Sequence, residues 1–210
     1  MQAVTRRTTT AFAILGQLAL APRTTYALAK QMRANLHFFW PRAESRIYEG
    51  IRRLVDDELV HETRIPFGRR SRGRYELTPA GRAALADWLA TPVSGSTLEH
   101  EAILRVFLAA FGSRAALLDA IDRVAADAEE IFAAGAEVGP QFLAGTHPFQ
   151  DQIHVRALVF DFLSSYAQAL RGWSERARAE VESWEDTAVE GKRAAARARI
   201  ATALAEFSPR

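Results

Sequence analysis

The chain has 210 residues, 49% of them hydrophobic, which suffices for one large domain or two modest ones with their own cores and excludes general disorder. It has no cysteine, so disulfide frameworks and thiolate metal sites are excluded and a reducing, cytoplasmic setting is expected. The net charge of +2 conceals an asymmetry: Met1 to Pro92 carries 15 Lys+Arg against 8 Asp+Glu, or +7, and the remainder 12 against 17, or −5. The basic part is suited to a polyanion.

No apolar run approaches the roughly 18 to 20 residues that span a bilayer, so no membrane partner is expected. The stretch AFAILGQLALA after Arg6 and Arg7 has the outline of a signal peptide, but TTYALAKQM carries the helical pattern past Pro22. It reads instead as the first core helix, Thr8 to Leu20, with Phe12, Ile14, Leu15 and Leu18 inside. The turn LAPRTT then supplies Thr24 or Thr25 as the cap of a second helix reaching about Leu36. After HFFW and Pro41, a third helix has Ile47, Ile51, Leu54 and Val55 inside and Ser45, Arg46, Tyr48, Glu49, Arg52 and Arg53 on or near the opposite face. Gly50 in its middle costs about 1 kcal/mol relative to alanine, and either permits a close backbone approach or is simply tolerated.

Between Leu59 and Leu77 the apolar period changes to two. LVHETRI and RYELT are predicted strands, joined by a PFGRRSRG loop that gathers Arg69, Arg70 and Arg72 beside Arg74. Thr78 caps a following helix with Pro79 as its first residue, and Pro92 ends it. Residues 1–92 thus form one predicted domain and 93–210 another, without strand signals. In the second, AILRVFLAAF is expected as a buried helix, and Leu117, Ile121, Val124, Ala128 and Ile131 form the apolar stripe of the next. A looser GPQFLAGTHPFQ precedes one long helix in which Val159, Tyr166 and Trp173 recur at seven, as do Leu163, Leu170, Ala177 and Trp184. Such heptads imply a partner helix, and these seven residues are the predicted dimerisation set. The alanine- and arginine-rich tail is compatible with a helix or with fraying.

Three segments, LGQLALAPRTTYALAKQM, FFWPRAESRIYEGIRRLVDDELV and GRRSRGRYELTPAGRAALADWL, resemble in order and spacing the motifs of the PadR family of bacterial winged helix-turn-helix transcriptional regulators. The likeness covers roughly the first 90 residues, and the remainder is similar in length and helix pattern to the longer PadR subgroup. It implies a mainly α fold with a small β-wing, an N-terminal winged helix-turn-helix domain and a C-terminal α-helical dimerisation domain. It also implies a homodimeric repressor of a pseudo-palindromic operator, released by a small molecule. The chain departs from the family pattern at Glu58, where a glycine commonly takes a left-handed helix end, and at Gly50, which replaces a better helix former.

For double-stranded DNA the candidate contacts are Arg42, Ser45 and Arg46 at the base-reading end of the third helix, Tyr48 and Arg52 towards phosphates, and Arg69, Arg70, Arg72 and Arg74 in the wing. Thr24, Thr25, Tyr26 and Lys30 join them, because the N-terminus of the second helix can receive a phosphate. The bland alternatives are helical pairing of Arg46 or Arg52 with Glu49 or Asp56, and strand pairing of Arg74 with Glu62 or Glu76. His37, Phe38, Phe39 and Trp40 read first as core; as an alternative they wall a site for a small aromatic or phenolic effector, with His154 and Arg156 meeting its carboxylate. His147, Asp151 and His154 are not taken as a metal site, with Pro148 between them, and His61 and His100 are expected at the surface. No G-x-S-x-G, P-loop, dinucleotide fingerprint or H-E-x-x-H is present, so neither an enzyme nor a cofactor is expected. The competing readings are a helical small-molecule binder and a protein-interaction adaptor without operator binding.

Overall fold

The computed structural model describes residues 7–41, 44–68 and 70–207, which divide into compact units spanning 1–96 and 97–210. No helix among the described residues is long and apolar enough to cross a membrane.

The first unit runs α1 (Thr9–Leu20), β1 (Arg23–Thr24), α2 (Thr25–Leu36), α3 (Glu44–Asp56), β2 (Val60–Phe67), β3 (Arg70–Leu77) and α4 (Pro79–Leu89). Threonine begins three of these helices. The hydroxyls of Thr8, Thr24 and Thr78 accept from the backbone N–H of Ala11, Ala27 and Gly81 at 3.3, 3.3 and 3.0 Å, satisfying donors that a helix start leaves open. Ile14, Leu15 and Leu18 of α1, Leu28 and Met32 of α2, and Ile47, Ile51 and Leu54 of α3 close one core, sealed by Leu59 and Val60. Buried Gln17 accepts from Asn35 Nδ2 at 3.3 Å, and Phe12 stacks on Trp88 at 4.8 Å. Gly50 has a reason to be glycine: a Cβ there would stand 2.7 Å from Ile14 Cδ1. The lost helix propensity accompanies a close approach of α3 to α1.

Helix α3 ends in a Schellman arrangement. The N–H of Leu59 donates to Leu54 O and that of Glu58 to Val55 O, each at 2.9 Å, and Glu58 takes the left-handed conformation with φ 59°. Thr78 ties this turn to the end of the wing, its hydroxyl donating to Glu58 O at 2.9 Å and its N–H to Leu59 O at 3.1 Å. Gly81 passes beneath, where a Cβ would lie 2.1 Å from Leu59 O.

The sheet order is β1-β3-β2, all antiparallel. The two-residue β1, which pairs Arg23 with Tyr75 and Thr24 with Arg74, had no alternating signal and was expected only as a turn. The wing strands are longer than their sequence suggests, pairing from Val60↔Leu77 out to Phe67↔Arg70. The predicted loop is therefore mostly strand, with Gly68 at φ 58° opening the turn. Arginine-rich sequence looks loop-like, but alternate arginines on one solvent face are compatible with pairing.

The second unit is built on α6 (Arg114–Leu143) and α7 (Ile153–Glu182), preceded by α5 (Glu101–Phe107) and followed by α8 (Arg193–Glu206). The start of α6 meets the end of α7, Leu117 and Ile121 packing with Ala177 and Val181, so the two helices are antiparallel. The predicted α6 stripe is buried. Arg114 donates through Nε to Val181 O at 2.9 Å and through Nη2 to Glu182 O at 2.7 Å, placing a cation on the open carbonyls at the end of α7. Arg171 and Glu129 bridge the pair at 2.7 Å.

Three expectations are corrected here. Helix α6 continues through Pro140 to Leu143, because a proline in the last turn leaves few hydrogen bonds beyond it to disturb. The segment AILRVFLAAF is not a buried helix: α5 stops at Phe107, a 3₁₀ turn follows at Ala109–Phe111, and Leu104, Phe107, Leu108 and Phe111 are exposed while Ala102 is buried. The heptads of α7 are partly satisfied within the chain. Ala177 is buried against α6, Trp173 and Trp184 pack on the same cluster, and Trp184 lies beyond the end of the helix. Heptad spacing announces a neighbouring helix without saying whose chain supplies it.

The junction at Glu58 yields a stability test. Glu58→Gly is expected to stabilise the first unit by about 0.5–1 kcal/mol, since glycine adopts the left-handed turn without the Cβ clash but loses more chain entropy. Gly81→Ala is expected to destabilise by more than about 2 kcal/mol, because the obstructing atom is backbone. Calorimetric melting of the three proteins checks both, and an order other than Glu58→Gly, parent, Gly81→Ala from most to least stable would refute the account of this junction.

Candidate nucleic-acid interface

Strand register sorts the wing residues by face. Opposed Cα partners share a side, so Val60, Glu62, Arg64, Gly73, Tyr75 and Leu77 lie on one face and His61, Thr63, Ile65, Arg72, Arg74 and Glu76 on the other. Val60, Tyr75 and Leu77 belong to or pack on the core, so the second face is outward. Arg72 and Arg74, at alternate positions, line that outward face; Arg69 and the side chain of Arg70 lie outside what is described. Arg72 and Arg74 are exposed. Glu62 belongs to the opposite face and pairs with Arg64 at 3.1 Å, so it does not neutralise Arg74. Among the described residues Arg74 forms no ion pair with Glu76 either, and its cross-strand neighbours are Thr63 and Thr24.

On α3, the buried Ile47, Ile51 and Leu54 fix which side is out. Ser45, Arg46, Tyr48 and Arg52 are all exposed; Arg42 lies outside the described residues. The ion pair on this face joins Glu49 to Arg53, one turn apart, rather than to Arg46 or Arg52. Arg46 and Arg52 are therefore left as outward cations. Thr25, Tyr26 and Lys30 stand in the first turns of α2, Tyr26 and Lys30 exposed, while the Thr24 hydroxyl is engaged as the helix cap. A phosphate there would meet the open N–H groups of the helix start.

The aromatic block is not core. His37 and Phe39 are exposed, Phe38 and Trp40 half-buried, in the turn where the N–H groups of Phe39 and Trp40 donate to Leu36 O. In the second unit His154 is exposed, whereas Arg156 is half-buried, with its guanidinium carbon 4.3 Å from the centre of the Phe149 ring. Arg156 Nε and Gln152 Oε1 are both buried without a hydrogen-bond partner among the described residues. Burial lowers the Arg156 pKa, and burial together with nearby Arg156 lowers that of His147, which stacks on Phe142 at 3.8 Å and accepts from Phe149 N–H through Nδ1 at 3.2 Å. Sequence reasoning picked out Arg156 but not Phe142, Phe149 and Gln152 around it, because these come from separate elements.

A cleft of about 490 Å³ between α5 and α6 is lined by His100, Arg105, Asp119, Arg123 and Asp127. His100, expected at the surface, has a side chain only 13% exposed and approaches Asp127 at 3.6 Å. Arg105 pairs with Glu101, and Arg123 with Asp127 and Glu130, so these arginines are satisfied within the unit. Of the dimerisation candidates, Val159 is exposed and Leu163, Tyr166 and Leu170 are half-buried.

Known proteins bear on this arrangement. Residues 14–87 match the model of the transcriptional regulator PadR-like family. The chain is 31% identical over 83 residues to the probable transcriptional regulator Rv1176c of Mycobacterium tuberculosis, covering 39% of this chain and 44% of that one. It is 28% identical over 106 residues to the negative transcriptional regulator PadR of Bacillus subtilis, covering 49% and 58%. The chain thus spans about half the length of the curated relatives it matches. In three dimensions it resembles Bacillus subtilis PadR in complex with operator DNA (TM-score 0.67, 21% identity, 83% of this chain and 98% of that one). It also resembles the same protein in complex with p-coumaric acid (TM-score 0.61, 20% identity, 85% and 99%). The chain thus shares its fold with these solved winged-helix proteins, and over residues 14–87 it is similar to the PadR-like family of transcriptional regulators.

Proposed function

We propose that this protein is a sequence-specific, DNA-binding transcriptional regulator, a homodimeric cytoplasmic repressor that carries out no catalysis. The observation that carries this reading is the outward placement of its cations: Arg46 and Arg52 on α3, and Arg72 and Arg74 at alternate positions of β3, all exposed. A helix fits the major groove, where Arg46 can read a guanine edge, and Arg52 and the wing arginines are placed for phosphates. Arg42, Arg69 and Arg70 are assigned to the same surface from sequence. Residues 1–92 are the proposed DNA-binding domain and 93–210 the dimerisation domain, in which the exposed Val155, Leu158, Val159 and Phe162 of α7 would be covered by a second copy. Two copies related by a two-fold axis match a pseudo-palindromic operator and multiply a weak half-site affinity.

Release by a small aromatic acid is supported by the cluster around Arg156. A buried guanidinium Nε–H without an acceptor and a buried amide oxygen without a donor are costly. A phenolic acid supplies a carboxylate for the first, a hydroxyl for the second, and a ring suited to Phe142, His147 and Phe149. The likeness to a protein solved with p-coumaric acid points the same way. To release DNA, the acid must bind the DNA-incompetent arrangement of the dimer more tightly than the other.

Titration of the protein with duplex from its own upstream region and with a scrambled duplex, at several salt concentrations, tests the main reading. The upstream duplex is expected to bind more tightly, with log affinity falling steeply against log salt. Arg72→Ala should weaken both duplexes alike and make the slope shallower by about 0.9 for each phosphate that the side chain neutralises, whereas Arg46→Ala should cost about 1–3 kcal/mol on the preferred duplex and little on the other. No binding to either duplex at low salt would sink the regulator reading.

The effector is tested separately, by adding p-coumaric acid to the protein–DNA complex. The parent should release DNA, and Arg156→Gln should need roughly tenfold more acid for the same release, about 1.4 kcal/mol, at unchanged DNA affinity. Superimposable release curves would remove Arg156 from the site.

A further inference from the structure

The second unit ends in a helix whose apolar side is uncovered. Helix α8 buries no residue, and a 14-residue helix by itself in water is marginal even when rich in alanine. Ile200, Leu204 and Phe207 form a ridge along one side at helical spacing, 67%, 64% and 79% exposed, and Arg193 and Arg197 extend the same side towards the helix start. Among the described residues its charged ties run to the end of α7 and the connection: Arg199 with Glu180, and Lys192 with Asp186 and over the Trp184 ring. These hold the helix in place but leave the ridge open.

A second open stripe lies at the same end of the unit. Val106 and Ala109 hold α5 and its following turn against Leu117, Ile121 and Val181, while Leu104, Leu108 and Phe111 point away, 55%, 46% and 92% exposed. Thr187, between α7 and α8, donates its hydroxyl to Gly112 O at 3.0 Å, so α8 departs from beside this stripe without covering it. The two match in sequence spacing, the second running from α5 into the 3₁₀ turn Ala109–Phe111. A constant offset sets Arg197 against Glu101, Ile200 against Leu104, Leu204 against Leu108 and Phe207 against Phe111. They match in charge as well: residues 97–192 carry 16 acidic and 8 basic side chains, and α8 carries 3 basic and 1 acidic.

We propose that α8 of each chain crosses to a second copy and lies along its α5 stripe, so that the two exchanged helices strap the homodimer together. At this end each copy has one ridge and one stripe open, in addition to the α7 surface named above, and a two-fold axis covers both ridges and both stripes with no further partner. The inference rests on the homodimer reading above and adds the contact that locks it.

Because the chain has no cysteine, single-cysteine variants report one pair at a time. Leu108→Cys and Leu204→Cys chains, differently tagged and co-expressed, are treated with a short bismaleimide at low protein concentration. The expected product is a covalent dimer carrying both tags, in at least fivefold higher yield than either variant gives alone. Leu204→Glu, at an exposed position and with unchanged circular dichroism, should raise the dimer dissociation constant in sedimentation at least tenfold. A dimer that yields no link between 108 and 204 overturns the exchange and leaves the homodimer standing. So does a doubly substituted chain that links within itself, which would show α8 folding onto its own stripe. A chain that sediments as a monomer at all concentrations overturns both readings.

Discussion

The backbone at Glu58 must leave a right-handed helix and enter a strand within two residues, and the direction of the basic surface depends on how it does so. The left-handed residue lets the N–H of Leu59 reach back to Leu54 O, which ends α3 and starts β2 with Val60 already in the core. Once Val60 points inward, pairing with Leu77 sets the parity of the hairpin, and Arg74 and Arg72 of β3 face outward. A register slip of one residue would turn Arg72 and Arg74 under the sheet. Thr78 guards against it, since its side chain and its N–H both hold the carbonyls at the end of α3 while its hydroxyl also begins α4.

This explains which parts of the molecule were legible in the sequence. The helices of the first unit were, because each combines an apolar stripe with a threonine cap or a proline, and both signals are local. The outward face of α3 followed from its inward one. The left-handed residue at Glu58 could be expected only from the glycine that the PadR resemblance places there, since nothing about a glutamate announces it. The length of the wing was hidden because Arg70 and Arg72 lack the β-branched character of strands, and their pairing is imposed by the partner Ile65–Phe67. In the second unit, apolar spacing identified surfaces that want a neighbour but not which neighbour. Ala177 found it in the same chain, whereas the equally apolar Leu104 and Phe111 did not.

The two units also differ in how they use charge. In the first, outward cations on α3 and β3 coexist with the helical pair between Glu49 and Arg53, so the surface keeps a positive field. In the second, many cations are paired close to home, Arg123 with Asp127 and Glu130, Arg171 with Glu129, Arg178 with Asp122 and Glu182. Exposed pairs of this kind add little stability each, but they leave a net acidic surface that repels DNA phosphates. In the proposed regulator, polyanion contact would thereby be directed to the first unit by making the other surface unfavourable.

Arg156 stands apart from that pattern, and the contrast bears on regulation. Its neighbours in the second unit show that acidic partners are abundant, yet its Nε is buried over Phe149 with no acceptor among the described residues. The buried Nε–H costs desolvation that the contact with the Phe149 ring offsets in part, so an anion brought to it would recover the remainder. If, in the proposed regulator, a ligand carboxylate does so in the DNA-incompetent state, the ligand's differential affinity for that state is the source of the switch and bounds the strength of release. A site already satisfied by a glutamate would bind the same acid more weakly and would need correspondingly more of it.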